Sequence, residues 1–225
     1  MPKSFVFFEV QLFSQKTEFL IPIQKELLEN EGEQISSLKL QTKQFINKFN
    51  KYICHHDLKV KRFGKVYGKT FNHFFEPKDF NLFLNKEDAL CVIQTNIDTA
   101  TDFVNQLNDS KEFSLSKVDI NFEGMYPLIN EVAGAWIADL KRTHLKKAGF
   151  FGPNVHKSED FKAAAEEGNV SAIQMRYLGS DHQEHYVAIS KKGAISLYDQ
   201  LSSVEEEITL ALEIYNTLVK PHIIV

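Results

Sequence analysis

Apolar positions along this chain repeat with two different periods, and the switches between them mark out its elements. Residues 4–13 (SFVFFEVQLF) are rich in Phe and Val and carry no helix signal, which predicts a strand that opens the fold. After Pro22, Ile23 to Leu28 read as one short helical turn running into the acidic segment Glu29 to Glu33. From Ser36 to Tyr52 the apolar residues Leu38, Leu40, Phe45, Ile46 and Phe49, continued by Ile53, fall near helical spacing. They predict an amphipathic helix with Lys39, Lys43, Lys48 and Lys51 on or beside its wet face. The period then changes, with Leu58, Val60, Val66, Phe71, Phe74 and Phe75 set around Gly64 and Gly68, a hairpin composition. Residues 80–84 and 89–95 follow as strands joined by the turn-forming Asn85-Lys86-Glu87-Asp88. Asp98 to Leu107 reads as a helix capped by Asp98 or Thr99, and 112–122 as a further strand.

Pro127 to Ala148 carries the longest helical pattern, with Leu128, Ile129, Val132, Trp136, Ile137, Leu140 and Leu145 apolar and Gly149 as its stop. A short helix is expected to start near Ser158. Strands at 171–178, 185–190 and 194–198, with a Lys191-Lys192-Gly193 turn, form an antiparallel meander on which a helix from about Ser203 to Val219 packs. The fold class expected is α+β, with mixed or antiparallel sheets, packed helices and this C-terminal three-stranded meander plus helix. No internal repeat, low-complexity tract or clean linker interrupts the chain. Residues 1–225 therefore read as one α+β unit, or as two intimately joined halves, 1–110 and 111–225.

Composition adds little to this picture and charge adds more. The 225 residues are 43% hydrophobic and 25% charged, which excludes collagen, coiled coil and wholesale disorder. No stretch approaches the roughly 20 apolar residues of a spanning helix, and Cys54 and Cys91 make neither a disulfide scaffold nor a zinc pattern. A reducing cytoplasmic setting is the expectation. The formal charge of −4 conceals segregation: −3 over residues 1–38, +8 over 39–78, −7 over 79–138, +3 over 139–162 and −5 over 163–225.

The strongest chemical pattern lies in the basic block. Lys59, Lys61, Arg62, Lys65 and Lys69 are interleaved with Phe63, Tyr67 and Phe71. Strand residues two apart share a face, so Lys59, Lys61 and Lys65 are expected to line one side with Tyr67 and Lys69 nearby. Such a stripe suits phosphates, and equally a solvated hairpin face or a lysine-protected sheet edge. A second group, Lys141, Arg142, His144, Lys146 and Lys147, falls at the end of the expected long helix, where the macrodipole favours cations with or without a ligand. Asp181-His182-Gln183-Glu184-His185 and His55-His56 beside Cys54 offer metal-capable atoms. The former lacks the H-E-x-x-H spacing and reads as a polar hairpin loop. No nucleophile elbow, Walker loop or dinucleotide fingerprint occurs, so no catalytic residue, metal ligand or cofactor is assigned.

The C-terminal succession Ile173-Gln174-Met175-Arg176, a polar loop, Glu184-His185-Tyr186, Lys192-Gly193, then a strand and a helix with Glu205, Glu206 and Tyr215 resembles the RexA family of phage exclusion proteins, as does the stretch from Phe83-Leu84 to Val104. About a third of the chain is covered. The resemblance implies a role in phage exclusion or abortive infection: a dimeric cytoplasmic sensor that binds DNA without strong sequence preference and acts on a membrane-protein partner, with a fold similar to the DNA-binding RdgC proteins. The basic residues proposed for DNA come from charge placement alone. Two other readings stay open, a protein-binding inhibitor acting through a Phe-rich surface and an enzyme whose site converges only in three dimensions.

Overall fold

The computed structural model describes residues 2–20 and 34–224; the helical turn and acidic segment expected at Ile23 to Glu33 lie outside them. In chain order the strands are β1 (Lys3–Leu12), β2 (Glu18–Leu20), β3 (Ser36–Ile46), β4 (Phe49–Val66), β5 (Lys69–Asn85), β6 (Leu90–Gln94), β7 (Ser114–Lys117), β8 (Glu131–Ala138), β9 (Ala148–Phe151), β10 (Asn169–Leu178), β11 (Glu184–Ser190) and β12 (Ala194–Leu197). The α-helices are α1 (Ile97–Asp109), α2 (Phe122–Met125), α3 (Glu159–Glu167) and α4 (Val204–Ile214). The fold is α+β and dominated by antiparallel sheet. Two compact units divide the chain: Phe8–Ser116, and Met1–Phe7 with Lys117–Val225. Strand β1 gives its first half to one and its second half to the other.

In the unit Phe8–Ser116 the strands run in the order β2-β3-β4-β5-β6-β1, and β7 also pairs with β1. The amphipathic helix expected over Ser36 to Tyr52 is instead the hairpin of β3 and β4. Ser36 and Leu38 turn inward while Lys39 and Gln41 face water, a period of two. Register shifts between Leu40 and Thr42 and between Thr42 and Ile46, with Gln44 at φ 48°, spread the later apolar residues to a spacing that imitates a helix. Asn47 and Lys48, at φ 42° and 68°, make the two-residue turn between Ile46 and Phe49. Positive φ at both positions matches the twist of the flanking strands.

Helix α1 forms as expected, but its cap is Asn96, whose Oδ1 accepts the Thr99 N–H at 2.9 Å. Its buried face, Thr99, Ala100, Phe103, Val104 and Leu107, brings the Phe103 ring edge-on to Phe80 at 5.1 Å. The strand expected over 112–122 shortens to Ser114–Lys117.

In the unit of Met1–Phe7 and Lys117–Val225 the order is β1-β12-β11-β10-β8-β9. The meander β10-β11-β12 and its helix appear where the sequence placed them. Ser203 caps α4, accepting the Glu206 N–H at 3.2 Å, and the helix buries Ile208, Ala211, Leu212 and Ile214. Beyond its end Tyr215 stacks flat on Phe7, ring centroids 4.4 Å apart. Ser158 caps α3 as expected.

The long helix expected over Pro127 to Ala148 does not form. A single 3-10 turn at Tyr126–Leu128 gives way to β8, an exposed loop and β9. Short apolar runs satisfy both periods, and the β10 partner carries register shifts at Val170/Ala172 and Gln174/Met175 that disturb simple alternation. Among the described residues no helix is long and apolar enough to cross a membrane.

Candidate nucleic-acid interface

Strand β3 covers β4 only as far as His56, and β6 meets β5 only from Asn81 onward. Between these limits β4 and β5 pair with each other and with no other described strand, forming a two-stranded ribbon closed by the Tyr67-Gly68 turn, φ 47° and 80°. The ten β4 residues 57–66 give it a length of about 30 Å. No residue from 58 to 75 is buried, and this stretch contains five cations and no acid. Lys61, Arg62, Lys65 and Lys69 make no ion pair with any described residue. At the base, Glu76 pairs with Lys78, and His55 lies between Asp57 and Asp79.

The single-faced stripe expected of Lys59, Lys61 and Lys65 needs correction. Lys59 opposes Phe75 and Lys61 opposes His73, but a register shift before Gly64 makes Lys65 oppose Thr70. One extra residue in β4 moves everything beyond it to the other face. Lys69, two residues before Phe71 on β5, shares the face of Lys61 and Lys59, while Lys65 joins the opposite one. Gly64 is part of this arrangement: the Phe71 ring lies over it, within 2.3 Å of where a Cβ would stand. Cations therefore appear on both sides of the ribbon. Near its base, Lys59 and Lys61 line a cleft of about 380 Å³ with Asp98 and Asp102 of α1.

The second basic group sits in the loop between β8 and β9, not at a helix end, and the macrodipole explanation falls with the helix. Lys141, Arg142, His144, Lys146 and Lys147 are all exposed. Arg142 is engaged by Glu167 through two hydrogen bonds, at 2.6 and 3.2 Å, which raise the guanidinium pKa and lower that of the carboxylate. Lys141, Lys146 and Lys147 form no ion pair with a described residue. This loop and the ribbon belong to different units.

The histidines resolve into separate arrangements. His56 is fully buried, with Nδ1 2.7 Å from Ser36 Oγ and Nε2 3.1 Å from Asp102 Oδ2; Ser36 Oγ also bonds Gln106 at 2.8 Å. The order Ser-His-Asp is that of a nucleophile relay. With Ser36 1% exposed and His56 at 0%, however, no substrate reaches the hydroxyl. The network joins β3 and β4 to α1. His185, on β11, holds Asp181 of the β10–β11 loop on Nε2 at 3.0 Å and Asp199, just beyond β12, on Nδ1 at 3.3 Å, so both nitrogens are engaged within the meander. No group of three or more His, Cys, Asp or Glu among the described residues is placed to hold a metal ion. Burial pushes the Cys54 and Cys91 thiols well up, leaving both protonated and packed.

Sequence reasoning missed a cleft of about 460 Å³ beside the stacked rings of Tyr126 and His156, 5.0 Å apart. Burial raises the phenol to about 12 and lowers the imidazole pKa, and neither Tyr126 Oη nor His156 Nδ1 has a hydrogen-bond partner among the described residues. Thirty residues of sequence separate the two, and no local signal links them. The Ser36-His56-Asp102 contact was missed for the same reason.

No protein-family model matches the chain, and no curated protein matches it significantly.

Proposed function

We propose that this chain is a sequence-nonspecific nucleic-acid-binding protein that contacts phosphates through the β4–β5 ribbon. The observation that carries the reading is the ribbon's charge: five cations without an acid between residues 58 and 75, four of them free of ion pairs with described residues. A two-stranded ribbon is narrow enough to enter a nucleic-acid groove, and lysine ammonium groups attract phosphates without reading bases. Lys141, Lys146 and Lys147 add a second exposed cationic patch, whereas Arg142 is occupied by Glu167. The setting in phage exclusion, a homodimer, a membrane-protein partner and a cytoplasmic location rest on the resemblance to the RexA family and belong to the proposal on that basis.

A salt titration of binding tests it. With four ribbon phosphates neutralised, log K should fall against log salt with a slope of about −3 to −4. Charge reversal at Lys61, Arg62 and Lys65 should flatten that slope and weaken binding on all sequences alike. Absence of binding at low salt, or binding indifferent to these substitutions, would overturn the reading. The second result would favour a protein partner gripping the ribbon's exposed Phe63, Tyr67 and Phe74.

A further inference from the structure

Phosphate neutralisation requires lysine and arginine and leaves the aromatic rings of the ribbon without a role. Phe63 is 80% exposed, Tyr67 fully so and Phe74 39%. The two most exposed rings stand at the ribbon's two irregularities. Phe63 falls inside the register shift between Lys61 and Gly64, and Tyr67 is the first residue of the turn. Bulges and turns re-aim side chains away from the flat faces of a ladder, so these rings are offered outward, each with a cation within two residues in sequence: Arg62 beside Phe63, and Lys65 and Lys69 flanking Tyr67.

We propose that the ribbon selects single-stranded nucleic acid, stacking unpaired bases on Phe63 and Tyr67, with Phe74 as a third platform, while Lys61, Arg62, Lys65 and Lys69 hold the intervening phosphates. This rests on the phosphate-binding reading given above. In a duplex, each base has both faces covered by neighbours, and a ring gains contact only by wedging the stack apart. A single strand presents its π-faces freely, and aromatic platforms combined with a positive groove are how such strands are bound without sequence preference. A protein partner that buried these rings would also have to accept five cations in the same stretch, which favours a polyanion with flat apolar groups.

The test uses the full chain, a fluorescent oligo(dT) of about 20 nucleotides and a duplex of matching length. The oligo(dT) should bind at least about tenfold more tightly than the duplex at low salt. The double variant Phe63→Ala, Tyr67→Asn should lose about tenfold or more on oligo(dT). Asn is chosen because it tolerates the positive φ at position 67. Its salt slope should match the unaltered chain, and its affinity for the duplex should barely move. Phe63→Trp should retain binding, and its added emission should be quenched by oligo(dT). Equal affinity for the two probes, or a double variant that binds oligo(dT) like the unaltered chain, overturns the stacking proposal. Charge reversal at Lys61, Arg62 and Lys65 separates the two levels: if it weakens binding while the aromatic variant does not, phosphate contact stands and stacking falls. If neither probe binds at low salt, both fall. Thermal unfolding confirms that these surface variants remain folded.

Discussion

His55 and His56 are neighbours on β4 and face opposite sides of it. His56 is locked in the buried Ser36-Asp102 network, while His55 lies on the other face with Nδ1 2.8 Å from Asp79 and Nε2 3.3 Å from Asp57. The hydrogen bond to Asp79, helped by the charges of both carboxylates, raises the His55 pKa against a smaller desolvation effect. A histidine favoured in its protonated form by folding contributes fully below the ordinary value of about 6.5, and that contribution disappears as pH climbs past the raised folded value. His55→Gln should therefore lower the melting temperature near pH 5.5 and leave it almost unchanged near pH 8.5, a comparison made by thermal unfolding at the two pH values. An equal loss at both would mean that His55 contributes shape and not charge. The sequence showed His55, His56 and Cys54 as adjacent residues. It could not show that alternation on a strand sends one histidine into the core and leaves the other between two carboxylates, because Asp57 is local to His55 but Asp79 reaches it through the β4–β5 register, and Asp102 reaches His56 from α1.

At the level of elements, the turns decided where the sequence could be read. The ribbon, the meander β10-β11-β12 and the helix after it were legible because Gly68, Gly193 and Ser203 are local signals. Gly193, at φ 78°, donates its N–H to Ser190 O at 3.1 Å and accepts from the Phe7 N–H at 3.0 Å. A Cβ there would stand 3.0 Å from Val118 Cβ and 3.3 Å from Val118 O. Gly68 has a similar φ of 80° with nothing within 4 Å of its would-be Cβ. Gly68→Ala should cost only the left-handed backbone term, about 1 kcal/mol, and Gly193→Ala clearly more, about 2–3 kcal/mol. Urea unfolding of the two variants checks the difference, and equal costs would remove the packing argument. The two misread helices lacked such signals. Asn47-Lys48 does the work usually given to Asn-Gly, and the bulges in β3 and the shifted registers of β10 shuffle apolar residues into helical spacing.

Across the whole chain, the basic block between residues 39 and 78 maps onto β3, β4 and the start of β5. The candidate interface was legible because its cations and rings are contiguous in sequence; its sidedness was not, since a single extra residue near Gly64 reassigns Lys65. Strand β1, whose two halves serve two units, has a consequence for how the protein is made. Phe5 pairs with Ile195, about 190 residues later. At roughly 5–20 residues per second, the ribosome delivers that partner about 10–40 seconds after the strand emerges. Throughout that interval Phe5, Val6 and Phe7, all essentially buried in the finished fold, wait without their β12 neighbour. A chain ending at Ser190 should therefore bind a hydrophobic dye and aggregate where the full-length chain does neither, as dye fluorescence and light scattering would report. Strand β1 must wait for a partner made about 190 residues later, and the protein's yield in a cell depends on how well that apolar segment is shielded until β12 has been synthesised.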